Sequence, residues 1–223
     1  MNYSLEKWIW TEADFEQMGW HDARIYAVQF GKDISFDIDY IFEWIQVDKD
    51  DFFSFIVAPA TLVFPEPSVV SINIDFRLSQ EIEIEDISCR VSAAGETEWH
   101  IESHQGNIII TAPSFRQIVR RAPTQQTGQQ VIPEERGLPS FSTVPDTTSL
   151  ESAEVREIKA ADLALRQKAV SLRRLRRQLE ALLEQRNAGV LEVKQYLQEK
   201  RLLEASINKL KKDLDATDWQ GTH

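Results

Sequence analysis

One cysteine, eight glycines, four histidines and two methionines among 223 residues leave little material for several kinds of chemistry. Cys89 stands alone, so an internal disulfide and a cysteine-built zinc site are both excluded. It lies in an alternating run with Ile84, Ile87 and Val91, with no basic cluster beside it to activate a thiol, and reads as a small buried apolar residue. With so few glycines there is no phosphate cradle, and the phosphate loop, the dinucleotide fingerprint and the serine nucleophile elbow are all missing. No run approaches the roughly eighteen apolar residues of a membrane helix. The opening Met1-Asn2-Tyr3-Ser4-Leu5-Glu6-Lys7 has no basic region followed by an apolar one, so a cytoplasmic chain without a membrane span is expected.

Charge is unevenly distributed. Residues 1–120 carry 21 acidic and 8 basic side chains, whereas residues 151–223 carry 12 and 15. An acidic surface repels phosphate backbones and attracts cationic partners, which disfavours nucleic acid and favours a basic protein partner for the first part of the chain.

Hydrophobic periodicity sets the expected fold. Thr11 and Asp14 form a capping pattern and Gly19 a stop for a short helix. Beyond it the period changes to two. Ile34, Phe36, Ile38, Tyr40 and Phe42 alternate with Ser35, Asp37 and Asp39, which predicts a strand with one wet face. The pattern returns at Val70–Leu78, at Ile82 and Ile84, at Trp99 and Ile101, and at Ile108 and Ile110. Turn residues separate these runs at 31–33, 48–51, 65–67, 94–96 and 105–107. Sequential short strands without crossover helices predict an α+β domain with a mainly antiparallel sheet over 1–121, with a further turn of helix at 114–121.

Residues 122–152 are rich in Pro, Gly, Ser, Thr and Gln and read as a linker or docking arm, with Val131, Ile132, Leu138 and Phe141 spaced to lie back across the sheet. From 153 to 217 a heptad pattern takes over, before a short tail at 218–223. Ile158, Leu165, Leu172, Leu179, Val193, Ile207 and Leu214 repeat at one position, with Leu175, Leu182, Tyr196, Leu203 and Leu210 three residues on. Such a narrow stripe is buried by another helix, so an oligomerising coiled coil is expected, capped by Ser149 or Ser152. Asn187-Ala188-Gly189 offers a hairpin turn, but the unbroken heptad phase favours one continuous rod. Arg173, Arg174, Arg176 and Arg177 flank the seam and read as a solvated face.

Candidate chemistry is sparse. His100 and His104 are four apart on a predicted strand, roughly 13 Å from each other and too far for one ion, so no metal and no cofactor are expected. The run Trp20-His21-Asp22-Ala23 resembles the aromatic-His-Asp-Ala opening of small bacterial domains grouped with predicted immunity proteins of toxin systems. Arg136-Gly137-Leu138-Pro139-Ser140-Phe141 is similar to their tails. The resemblance covers 1–142 and implies a non-enzymatic domain that binds another protein. Trp20, His21, Asp22, Asp39, Tyr40, Glu43 and Trp44, aromatics beside carboxylates, are the candidate partner-binding residues. Two further readings compete: a structural adaptor spaced by the coil, and a hydrolase using His21 and Asp22.

Overall fold

A computed structural model describes residues 3–48, 52–77, 79, 81–148 and 151–218. The turn residues Lys49, Asp50 and Asp51, the strand residue Leu78, the cap candidate Ser149 and the tail from 219 onward lie outside the described residues. The chain divides into two compact units: Met1–Val47 with Phe53–Val155, and Asp48–Phe52 with Arg156–His223.

The first unit is built on one sheet of ten strands: β1 (Ile9–Thr11), β2 (Ala23–Phe30), β3 (Ile34–Asp48), β4 (Phe52–Phe64), β5 (Val69–Ile74), β6 (Ile82–Val91), β7 (Thr97–Ser103), β8 (Gly106–Thr111), β9 (Arg116–Val119) and β10 (Thr124–Gln126). Their order is β1-β9-β4-β3-β2-β6-β7-β8-β5, with β10 also on β4. The defined registers are antiparallel, which together with the helices places the chain in the α+β class. Thr11 does begin a helix, a 3-10 helix at Glu12–Gln17, where the Asp14 carboxylate accepts the Thr11 N–H at 2.9 Å. The helical turn expected at 114–121 is instead strand β9. Gln117, Ile118, Val119 and Arg120 are consecutive buried residues, as befits a strand covered on both faces, and this removes the alternation that would have marked it.

β4 was hidden by the same effect, since Ser54 to Phe64 are all buried. Pro59 within it has no N–H to donate, and it sits between the Ala60–Val63 segment paired with β9 and the Phe55–Val57 segment paired with β10. The sheet also curls. Phe64 on β4 and Trp99 on β7 are four strands apart, about 19 Å on a flat sheet, yet their ring centroids are 6.0 Å apart. The concave face encloses the main core, with Phe36, Ile38, Leu62, Ile84, Trp99, Ile101, Ile108 and Ile110 around Phe115 and Trp20. Cys89 lies outside this core and is exposed, correcting the sequence reading. Among the described residues β2 pairs with β6 only as far as Ile84, so the rest of β6 has a described strand neighbour on one side only.

The second unit holds α2 (Ala153–Asn187) and α3 (Val193–Asp218), α1 being a single turn at Pro133–Arg136 in the first unit. Ser152 caps α2, its hydroxyl accepting the Val155 N–H at 3.1 Å. The continuous rod is not formed. Gly189 takes φ +71°, with Val190 N–H bonded to Gln185 O and Gly189 N–H to Arg186 O, the hydrogen-bond pair that ends a helix at a left-handed residue. Gln178, Leu182 and Gln185 line one cleft with Glu199, Leu202 and Leu203, so α3 runs back along α2. Leu182 and Ile207 are buried, while Leu165, Leu172, Leu175, Leu179, Tyr196, Leu203, Leu210 and Leu214 are half-buried and Val193 is exposed. Heptad phase alone could not choose between the two arrangements, because both put the same stripe against a helix.

Candidate functional site

The site is assembled on the face of β3 that the sequence assigned to water. Ser35, Asp37, Asp39 and Ile41 alternate with the apolar-core residues, but they are equally buried, because the arm after β9 lies over them. The arm is therefore ordered rather than a free linker. Asp37 and Asp39 are both fully buried, and two guanidinium groups answer them. Arg136, from α1, donates to Asp37 Oδ1 at 2.7 Å, Asp37 Oδ2 at 3.1 Å and Asp39 Oδ1 at 2.9 Å. Arg120, at the end of β9, bonds Asp37 and also Thr61 Oγ1 at 3.0 Å.

Backbone amides complete the latch. Ser140 N–H donates to Asp37 at 3.1 Å and Val131 N–H to Asp39 at 2.8 Å, while the Tyr26 hydroxyl donates to Asp39 at 2.9 Å beneath the Arg136 guanidinium. Burial raises the Asp39 carboxyl above its usual range against the opposing pull of Arg136. Burial likewise lowers the Arg120 guanidinium despite Asp37, and it raises the Tyr26 hydroxyl, reinforced by the Asp39 charge. Leaving one such charge without its partner costs about 3–5 kcal/mol. Of the apolar residues expected to seat the arm, Val131 is buried, but Leu138 is 88% exposed; Arg136 is the arm's principal anchor.

Beside this latch, the turn before β2 sends three consecutive side chains in different directions. Trp20 points inward, 2% exposed, with its indole N–H donating to Gln117 Oε1 at 2.8 Å. Asp22 adopts φ +64° and accepts the Gln129 amide at 2.6 Å from the arm. His21 points outward. Its Nδ1 lies 3.1 Å from Glu85 O, a contact in which Nδ1–H donates, and its ring stacks at 18° on Trp44, centroid to centroid 6.2 Å. Trp44 is 45% exposed and rests edge-on against Phe53 and Phe55.

Asp22, and Glu83 behind it, border this rim on the His21 side. Glu83 is raised above the usual carboxyl range by burial, then by its hydrogen bond to Asp22 and the Asp22 charge, with His104 acting in the opposite direction. His21 Nε2 is 3.5 Å from the other Asp22 oxygen. Arg24 pairs with Glu81 at 2.8 Å and bonds Gln130 of the arm at 2.7 Å. Among the described residues no group of three or more His, Cys, Asp or Glu is arranged to hold a metal ion.

The predicted site residues thus separate. His21, Glu43 and Trp44 are accessible, and Asp22 borders them. Trp20, Asp39 and Tyr40 are enclosed: Tyr40 is 6% exposed with its hydroxyl accepting the Gly19 N–H at 3.2 Å, and Asp39 belongs to the latch. These three lie inside the domain and are not presented at its surface. Sequence reasoning missed Glu83, Phe53, Phe55, Gln129 and Gln130. The two glutamines fall in a Gln-rich stretch whose composition signals disorder, and no local pattern shows that they pair with residues about a hundred positions earlier.

Comparison with known families, with curated proteins and with solved structures returns no match. No described helix is long and apolar enough to cross a membrane.

Proposed function

We propose that this chain is a protein-interaction module: an acidic, immunity-like domain that docks a basic protein partner on the His21–Trp44 rim, joined to helices that hold it in a larger assembly. The observation that carries the reading is the Trp44–His21 stack, a large aromatic surface left 45% exposed on a rigid backing of Phe53 and Phe55. A pre-set aromatic anchor flanked by carboxylates suits a partner that brings an apolar side chain with lysine or arginine beside it. Helices α2 and α3 supply a second surface, since Leu183, Val190, Leu197 and Leu202 remain exposed around their turn. Further association through these helices is the route by which the module is oligomerised.

The test is selection of lysine- and arginine-rich segments from a displayed library against the full chain, followed by the same binding with Trp44→Ala and His21→Ala. Affinity falls tenfold or more for Trp44→Ala, about 1.4 kcal/mol, with the melting temperature almost unchanged. Binding that ignores both substitutions contradicts the reading.

A hydrolase reading draws on one specific feature, the Asp22 and Glu83 carboxyls sharing a hydrogen bond beside His21. Two carboxyls side by side, with the Glu83 carboxyl raised above its usual range, suit acid–base chemistry. That reading requires hydrolysis of some ester or glycoside, lost on His21→Ala and on Glu83→Gln alike.

A further inference from the structure

The two ends of the sheet are built differently. At one end, β1 is three residues long and leads directly into the 3-10 helix, so it offers little ladder to another strand. At the other, β5 pairs only with β8 among the described residues, and Val69, Val70 and Ile72 are 55%, 36% and 44% exposed. Edge strands are ordinarily blunted by charge, proline or a bulge. β5 has none of these: Val-Val-Ser-Ile-Asn-Ile contains no charged residue, and its pairing with β8 runs from Val69 to Ile74 without a register shift.

The ladder also fixes where its unused groups point. Asp75 N–H donates to Gln105 O at 2.7 Å, and Asn73 opposite Asn107 and Ser71 opposite Ile109 share that orientation toward β8. Val70, Ile72 and Ile74 therefore direct their N–H and C=O groups away from the sheet. Their side chains lie on the face of Ile110 and Ile108, which is the apolar-core face. Ile74 packs on the rim of that core, and Val70 and Ile72 carry the same face beyond it.

We propose that β5 is a self-pairing edge, to which a second copy of this chain adds its own β5, antiparallel, across a two-fold axis at Ile72. In such a pair, outward-pointing residues must meet outward-pointing residues. The register centred on Ile72 satisfies this: Ile72 meets Ile72 of the second copy and Val70 meets Ile74 on either side of it, while Ser71 and Asn73, whose own backbone bonds go to β8, lie opposite each other with their side chains on the other face, so that like chemistry faces like.

Charge supports this occupant. The chain carries a net charge of −11, yet the proposed contact line is neutral. The strand itself is uncharged, and each end carries an ion pair, Lys32 with Glu66 at 2.9 Å before it and Arg77 with Asp75 after it. The two-fold brings the Glu66 end of one copy to the Arg77 end of the other, where Arg77 is 87% exposed. The register pairs only Val70 to Ile74, five residues of each copy, well below the roughly 1,200 Å² of a standard interface, so the dimer is weak. Salt strengthens it by screening the repulsion between two acidic copies.

Sedimentation velocity of the full chain from micromolar to millimolar concentration, with Ile72→Lys and Ile72→Glu alongside, tests the proposal. Wild type shows a weak, reversible association step that depends on β5, separate from any association through α2 and α3. Each variant alone places like charges across the axis and weakens it about tenfold or more. An equimolar mixture of the two restores the dimer, which a merely misfolded variant could not do. A dimer unaffected by Ile72→Lys is held elsewhere and overturns the proposal. A wild-type chain that stays monomeric throughout overturns it too, leaving the edge to a strand from a different protein.

Discussion

On one face of β3, Phe36, Ile38 and Tyr40 enter an apolar core; on the other, one residue out of step, Asp37 and Asp39 are as deeply buried beneath Arg120 and Arg136. The first face is closed by non-directional packing from six strands. The second is closed by a short arm that contributes few apolar contacts and many directed bonds. Apolar packing tolerates repacking, whereas a charge network fails when one member is lost. The arm is thus held in one position, and with it Gln129 and Gln130, which tie Asp22 and Arg24 at the edge of the rim.

The most damaging substitutions separate the two faces. Arg136→Ala leaves Asp37 and Asp39 short of a shared partner and lowers stability by about 3–5 kcal/mol, measured by chemical denaturation. Phe36→Ala costs a similar amount, about 3–5 kcal/mol, through its cavity. Limited proteolysis distinguishes them: Arg136→Ala exposes residues 122–146 to cleavage while the sheet survives, and Phe36→Ala loosens the whole unit. Equal proteolysis patterns would erase the distinction between the faces.

Gly106→Ala disturbs the far end of the sheet, where an added Cβ would meet Asn73 O at 2.0 Å and the residue has φ +142°. Strain of about 1–3 kcal/mol is expected, with faster hydrogen exchange along β5 and β8 and none in the arm. A smaller effect of informative sign belongs to Gly189. Alanine there costs about 1–2 kcal/mol where the residue must be left-handed, whereas it would raise the stability of a continuous helix. Thermal melting of the helical signal decides between them.

The smallest effect is a slope in pH. The folded Glu83 carboxyl lies above its unfolded value, so the native chain binds this proton more readily and loses stability as pH rises from the ordinary glutamate range through the raised value. Glu83→Gln removes that slope, and its stability advantage over wild type widens toward neutral pH. A gap that is constant with pH would show that the folded Glu83 carboxyl is not raised above its unfolded value.

Period-two alternation made β3, β5, β7 and β8 legible, since one face of each is apolar. The heptads made the helices legible, and Asn187-Ala188-Gly189 was readable as a possible turn, but the unbroken phase pointed to the rod because hairpin and rod bury the same stripe. β4 and β9 were concealed by burial on both faces, which replaces alternation with a continuous buried run at Ser54–Phe64 and at Gln117–Arg120. At the rim, the exposed His21 and Trp44 were identifiable as an aromatic and a histidine near carboxylates. Their supports were not, because a charged residue on a strand reads as solvated until the cation that covers it is known. Asp37 and Arg136 are ninety-nine positions apart, beyond any local signal.

The arm closes the charged face of β3. Residue-resolved hydrogen exchange in wild type and Arg136→Ala tests this closure through two amides, Val131 N–H on Asp39 and Ser140 N–H on Asp37. The prediction is protection of both in wild type close to that of the Ile38 amide, and loss of both in Arg136→Ala with Ile38 still protected. Val131 and Ser140 exchanging freely in wild type would contradict it.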